Sequence, residues 1–524
     1  MYILSIQYLG KKQEQSNLAF QEIFLIKSDM MNKISIIIFY LFFLSSASLL
    51  ARKHVFYASD NNLMSSSTFV AGDTVVLKNG EWNNKTIFFR GNGVTNNPVV
   101  FCAEEAGTVI MTGTTNCKIF GKDIEVSGLY FKGNYASSNS GHVFVFDTES
   151  QHCRLTNSAF YKYNFIPYNE SINLKWISIY GTNNRVDHCY FEGKESVGSV
   201  ITVWLKNNIA ANHKIDHNHF YKRNSLLDSN NSTLNGQDII RIGDSSTSMT
   251  YANCTVDNNF FEECDGEIEI ISNKSCGNIY QNNVFYRCKG TLTLRHGNGC
   301  KVIGNYFIGD GHPNVGGIRV IGEDHLIYNN YFQDITGTTF RSAIAIYNGM
   351  SESPLSGYYQ AKRVKVLFNT FYNCENAIYV GYNGSESLDL PPLSTDIANN
   401  VITASNSGQV GLIIGDTNSQ VNITNNILYR GRFGNYKPAN NQFYISCINF
   451  RFESSNNKYG IYKPSMNSIL SECYRTSDYK DLIKVDIEGK LRSTYRTVGA
   501  FEINGVQNIY FQTPKTIGCS FFNK

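Results

Sequence analysis

"VDNNFF" at 256–261, "YQNNVF" at 280–285, "VIGNYF" at 302–307 and "IYNNYF" at 327–332 are four versions of one unit. Each sets an asparagine two residues before a phenylalanine, and Phe261, Phe285, Phe307 and Phe332 follow one another at 24, 22 and 25 residues. The unit extends forward through "VLFNTF" (366–371), "DIANNVI" (396–402) and "NITNNIL" (422–428), and backward to "IDHNHF" (215–220). Looser copies, "VSGLYF" (126–131), "LTNSAF" (155–160) and "VDHCYF" (186–191), keep its apolar part. A period of 22–25 residues, rich in β-branched and aromatic side chains and lacking helical periodicity, predicts an all-β solenoid: a single-stranded right-handed parallel β-helix. Asn218, Asn259, Asn283, Asn305, Asn330, Asn369, Asn400 and Asn426 should then form an internal ladder at one turn, each amide bonding to the next coil. That role is structural.

Spacings of 41 residues across 220–261 and 39 across 332–371 imply loops inserted at coil corners, where a solenoid builds its cleft. The repeat divides the chain into an N-terminal extension (1–51), a solenoid (52–440) and an aperiodic stretch (441–524) expected to cap its C-terminal end. Within the extension, 31–51 ("MNKISIIIFYLFFLSSASLLA") reads as a secretory signal: a lysine, an apolar run too short for a membrane span, then small residues. Its position suggests that Met30 or Met31 begins the precursor, with cleavage near Ala47 or Ala51 and a secreted, periplasmic or cell-surface product. The 46 basic and 43 acidic residues nearly cancel, so composition offers no footprint for nucleic acid, and a charged partner would need a local patch. A monomer is expected. Thirteen cysteines without a C-x-x-C pair read as small apolar residues recurring in the repeat. His188, His213, His217 and His219 fall in or beside repeat units and read as turn or surface residues.

One strand departs from the pattern. "DGEIEIISNKS" (265–275) places Glu267 and Glu269 two apart, hence on one face of a strand, with Lys274 just beyond. Adding a coil of about 24 residues stacks these glutamates on Thr291 and Thr293, continues the face with Arg295, and brings Arg319 one coil later and Arg241 one coil earlier. Two carboxylates and an amide oxygen suit a hard cation such as Ca²⁺. Guanidinium groups bind carboxylates, and a lysine among cations is favoured in the neutral form that a base needs. Together they describe proton abstraction beside a neutralised carboxylate, the chemistry of β-elimination on a uronic acid polymer. A secreted β-helix adhesin or carbohydrate-binding protein would keep the ladder without needing Lys274 and Arg295 together with Asn235. A hydrolytic β-helix enzyme would need acidic residues paired across the cleft, and no comparable Asp cluster exists.

"NGQDIIRIG" (235–243), "CDGEIEIISNKS" (264–275), "GTLTLRHGNG" (290–299) and "GGIRVIG" (316–322), in this order and spacing, resemble polysaccharide lyase family six, the alginate lyases and chondroitinase B. The resemblance runs from about residue 55 towards the C-terminal region and is densest over 235–345. It implies a pectin-lyase-like β-helix, with Asn235, Glu267 and Glu269 as calcium ligands, Lys274 as the base that removes the C5 proton and Arg295 as the acid toward O4. It also implies that Arg319 and His296 hold sugar carboxylates. Arg341, in "TGTTFRSAIAIYNG" (336–349), falls where chondroitinase B has a substrate-contacting arginine, while Arg241 is either a substrate contact or a brace for the glutamates. The wording around "EIEIISNKS" is closer to the alginate lyases, and no sulfate-contacting region is recognisable in "ITVWLKNNIAANHKIDHNHF" (201–220). The expected substrate is therefore alginate, with dermatan sulfate as the alternative.

Overall fold

In a computed structural model of the 524-residue chain, the described residues are 51–439, except 136–140, 166–169 and 385–386, and short stretches on either side: 26, 27, 30, 31 and 33, then 442–444, 452–454, 458–464, 479, 482–492, 498–502 and 511–522. The chain divides into two units, Met1–Ala51 and Arg52–Lys524, and all the strands belong to the second. The signal-like stretch 31–51 falls almost wholly outside the described residues.

Three sheets, each of 14 strands among the described residues, run along the second unit. Every strand in them pairs in parallel with its counterparts one coil before and after, as in the first sheet's run from Lys301–Ile303 to Leu326–Tyr328 and Lys365–Leu367. This is the parallel β-helix that the repeat predicts. The interior is filled by like residues stacked on like. Phe191, Phe220, Phe261, Phe285, Phe307, Phe332 and Phe371 form one column of parallel rings whose centroids lie 4.6–4.9 Å apart. That separation matches the spacing of hydrogen-bonded strands, about 4.8 Å, so one rotamer repeated in every coil packs without gaps.

The asparagine ladder fixes this register. In each coil the side-chain oxygen accepts both the backbone N–H and the amide N–H of the preceding asparagine: Asn259 donates to Asn283 Oδ1 at 3.1 and 3.0 Å, and Asn283 to Asn305 Oδ1 at 3.0 and 3.0 Å. The chain of acceptors continues through Asn330, Asn369 and Asn400 to Asn426. The residue before each ladder position takes positive φ, as at Asn258, Asn282, Gly304, Asn329 and Asn399. Asn and Gly tolerate that conformation best, which explains the Asn-Asn and Gly-Asn doublets.

A second, mixed ladder lines another turn. Cys153 N–H donates to Asn184 Oδ1, Asn184 N–H to His213 Nδ1, Cys254 N–H to Asn278 Oδ1 and Cys300 N–H to His325 Nδ1. His213 is therefore a buried turn residue, and His219 is buried too, whereas His188 and His217 stack on each other at the surface. The eleven described cysteines are unpaired and, except for Cys102, buried, as small apolar repeat residues should be.

The short helix Asn61–Ser66 lies against the edge of Thr86–Asn92, where Ser65 Oγ accepts the N–H of Phe88 and Asn61 donates to Thr86 O. The C-terminal stretch differs from the expected end cap. Its described parts run back along the outside of the second sheet: Ile461, Phe501 and Phe511 pack on Phe260, Val284, Tyr306 and Tyr331, and Cys519 and Phe522 reach Tyr130 and Tyr190. The outward apolar side chains of that sheet supply the reason, since they would otherwise leave a long exposed stripe.

Burial holds the imidazoles of His213 and His325 down to about 3 and about 4. Because both folded values lie below 6.5, the unfolded chain binds the extra protons, and the associated stability is intact above pH 6.5 and lost as pH falls toward 4. At pH 5 each should cost about 2 kcal/mol. His325→Asn, the residue that does the same work at positions 184 and 278, should show a smaller drop in melting temperature between pH 7 and pH 5 than the parent chain. An equal drop would contradict this.

Candidate active site

The third sheet carries the charged strands, and two loops close over them. Along it run Ile240–Ile242, Glu269–Lys274, Thr291–His296 and Ile318–Val320. Arg241 faces Ser272, Ser272 faces Thr293, and Thr293 faces Arg319. The stacking deduced by adding 24 residues holds for Glu269 over Thr291 but not for the rest. Glu267 precedes the strand, Thr293 lies over Ser272, and Arg319 lies over Thr293 rather than Arg295. The cause is two bulges in the Glu269–Lys274 pairing, one between Glu269 and Ile271 and one between Asn273 and Lys274. At the first, Ile270 is the extra residue and is buried like Ile271; at the second, Lys274 pairs with His296, leaving Arg295 out of the ladder. Bulges re-aim side chains, and here they turn Lys274 and Arg295 toward the same space.

That space is a cleft of ≈ 800 Å³. Asn235, Glu267, Glu269 and Lys274 line one part, and Arg295, His296, Arg319 and Arg341 the other. Arg241 does not line it; its guanidinium lies over the Trp204 ring, 5.4 Å from the centroid. Lys274 is half-buried, and among the described residues its Nζ makes no ion pair or hydrogen bond, so the amine is available to a ligand.

The acidic part holds more carboxylate than the sequence suggested. Asp238, four-fifths of a turn from nothing regular in sequence, sits beside Glu267 and Glu269, and its Oδ2 is buried without a hydrogen-bond partner. Burial, then Glu269, pushes the Asp238 carboxyl up; burial, then Asp238 and Glu269, does the same to Glu267. Gln237 N–H donates to Glu267, and Ser272 Oγ to Glu269. Three crowded carboxyl groups, one oxygen orphaned, fit a hard cation. No group of three His, Cys, Asp or Glu among the described residues is arranged as a ready-made metal cage, so an ion there would also draw on the Asn235 amide and on water. Asn235 Oδ1 accepts the N–H of Gly236 at 2.8 Å and lies at the mouth of the cleft.

The basic part is braced by the 348–362 loop, the insertion expected from the 39-residue spacing. Arg295 donates to Gly357 O at 2.8 Å and Ser356 O at 3.2 Å, and its guanidinium lies 4.0 Å from the Tyr358 ring centroid. Arg319 donates to Tyr358 Oη at 2.9 Å and lies over Tyr347. Both arginines approach Glu269 Oε1, at 3.9 and 3.5 Å. Burial lowers the affinity of Arg295 for its proton. Burial, then Arg295 and Lys274, holds His296 down to about 3, so its imidazole is neutral and can only donate from one nitrogen while accepting at the other. Arg341 donates to Lys289 O at 3.2 Å at the far wall. Asp238 and Tyr358 were missed because loops deliver them and no period marks them; the only signal for Asp238 was its place inside "NGQDIIRIG".

The Chondroitinase B family profile matches residues 59–479. The chain belongs to this family, polysaccharide lyase family six. Among solved structures it is similar to the PL6 family alginate lyase AlyGC, at 29% identity and a TM-score of 0.71 over 87% of this chain and 59% of that one. It is also similar to a mannuronic acid specific family 6 lyase from human gut microbiota, at 29% identity and TM-score 0.66, covering 75% of this chain and 91% of that one. A third is the PL6 family polysaccharide lyase Pedsa3628 from Pseudopedobacter saltans, at 25% and 0.62, covering 74% and 97%. The chain thus spans 59% of the length of AlyGC. A comparison with curated protein sequences finds no match.

Tyr358→Phe should leave a buried Arg319 donor without its acceptor, at a cost of about 1–3 kcal/mol. A lowered melting temperature, with a raised Michaelis constant for any uronate substrate, is the expected outcome. Unchanged values of both would show that the tyrosine does not position Arg319.

Proposed function

We propose that the chain is an exported lyase that cleaves 1,4-linked uronic acid polymers, alginate foremost, by β-elimination. The observation that carries this is the convergence of an unpaired amine, Lys274, with Arg295, Arg319 and a carboxylate cluster in one cleft. Family membership supports the reaction class, and likeness to AlyGC and to a mannuronate-specific lyase supports alginate.

The C5 proton of a uronate is weakly acidic because its loss adds charge to the neighbouring carboxylate. In this reading Lys274 Nζ, unprotonated, takes that proton. The C5–H electrons form the C4–C5 double bond, and the C4–O4 bond breaks with its electrons passing to O4. Arg295, whose burial favours release of a proton, protonates O4. One or more of its bonds to Gly357 O and Ser356 O must then be exchanged for the substrate. Arg319, Arg341 and neutral His296 hold the carboxylates of the units around the scissile bond. Asn235, Glu267 and Glu269, joined by Asp238, would hold a calcium ion, which when bound supplies positive charge to the carboxylate that becomes enolate-like. No water is consumed, and the product carries a 4,5-unsaturated end.

Incubation with alginate, its mannuronate and guluronate blocks, and dermatan sulfate, read by near-ultraviolet absorbance, tests this directly. Alginate should give the strongest signal. Product from dermatan sulfate alone would transfer the reading to the chondroitinase B type, and none from any polymer would end it. Lys274→Ala and Arg295→Ala should each lower turnover by at least about a hundredfold without lowering the melting temperature. Calcium should raise the melting temperature of the parent chain. Asp238→Asn should be more stable than the parent in chelator and lose that rise; if calcium shifts neither protein, the cluster does not bind it.

A further inference from the structure

The charged face of the third sheet does not end at the cleft. Toward the N-terminus, in the coils of Leu174–Ile179 and Ile201–Val203, it carries Trp204 stacked on Tyr180, with ring centroids 5.8 Å apart and planes at 8°. Trp204 Nε1–H donates to Ser178 Oγ at 3.1 Å, and the hydroxyl's own proton is left for His142 Nδ1, 2.6 Å away. The indole is therefore held from below and at its edge.

Two cations flank it. Arg241 lies 5.4 Å and Lys175 Nζ 5.7 Å from the ring centroid, and neither is ion-paired among the described residues. Lys175 donates to Asn173 Oδ1, while Arg241 Nε has no partner. Asp238 is the carboxylate whose field reaches both. Two half-buried, unpaired positive charges beside an aromatic face are costly to maintain unless an anion visits.

The register places this platform relative to Lys274. Ile179 pairs with Val203, Val203 with Ile242, and Ile242 with Asn273, so Tyr180, Trp204, Gly243 and Lys274 follow in one column. Gly243, at positive φ, puts no side chain between Trp204 and Lys274. The gap is two coil rises, roughly 10 Å. We propose that Trp204, Arg241 and Lys175 form a further uronate-binding subsite, the sugar ring lying on the indole and its carboxylate on the two cations, so that the polymer runs along the helix axis into the cleft. This rests on the uronan reading of the cleft for the identity of the ligand, but not on its lyase chemistry.

The chain contains three tryptophans, and Trp82 and Trp176 are fully buried, so Trp204 is the one that a surface ligand would report. Inactive Lys274→Ala protein, titrated with saturated hexauronate from alginate, should show saturable quenching of tryptophan emission. Adding Trp204→Ala should abolish the signal and weaken calorimetric affinity about tenfold, and adding Arg241→Gln should weaken it by a similar factor. Affinity for a diuronate, too short to span both sites, should change less than twofold. In the active chain, Trp204→Ala should lower kcat/KM for hexamer far more than for trimer. Hexamer affinity unchanged by both substitutions, or a length dependence unaltered by Trp204→Ala, overturns the subsite. Trp204-dependent binding without any unsaturated product from the parent chain would support the subsite and overturn the lyase reading.

Discussion

Everything functional in this protein inherits its position from an amide passed between coils. A buried asparagine is unfavourable unless both ends of its side chain are satisfied. Here each oxygen takes two donors from the coil before, and each nitrogen reaches a carbonyl there as well, as Asn283 does to Val256 O. A coil displaced by one residue would break several such bonds at once and turn its phenylalanine out of the ring column. The register is thereby nearly rigid from Asn218 to Asn426, whatever the length of the loops between coils.

That tolerance of loop length is what the chemistry uses. The 224–239 segment brings Asn235, Gln237 and Asp238 to the cleft, and the 348–362 loop brings Tyr358 and the carbonyls that grip Arg295. Neither is periodic, yet both leave the ladder intact on either side. Within the strands, the only departures from simple pairing near the cleft are the bulges flanking Ile271–Asn273, which hold Lys274 and Arg295 off the regular lattice. A regular sheet would have stacked them in line. Strain and irregularity are concentrated where side chains must converge on one bond.

The fold was legible because its determinants recur. Phe261, Phe285, Phe307 and Phe332 announce the coil length, and the asparagines announce the turn. The strand-borne part of the site was legible for the same reason, since Glu269, Lys274, Arg295 and Arg319 sit at fixed places in their coils. Adding a constant period failed once a 22-residue coil and two bulges intervened, so Arg319 came to lie over Thr293 instead of Arg295. Arg241 was misjudged through its neighbour: nothing in "WLKNN" (204–208) indicates that Trp204 would draw the guanidinium away from the glutamates. The path of the C-terminal stretch was invisible because contacts such as Phe501 on Tyr331 join segments with no common period.

Charge separation along the helix axis links these parts. Acidic groups are confined to Asp238, Glu267 and Glu269, and Glu269 is shared between Ser272 and the two arginines rather than neutralised by one. Cations lie on both sides of that cluster, Arg295, Arg319 and Arg341 toward the C-terminus and Arg241 and Lys175 toward the N-terminus. A single acidic molecule could use only one side. A polymer with a carboxylate on every unit could use both, its central unit lying where the carboxylates would repel it unless a cation or the amine of Lys274 intervened. The alternation of basic, acidic and basic surface along one sheet face is thus better matched to a long polyanion than to a small one, and it makes the acidic centre the place where positive charge has most to contribute.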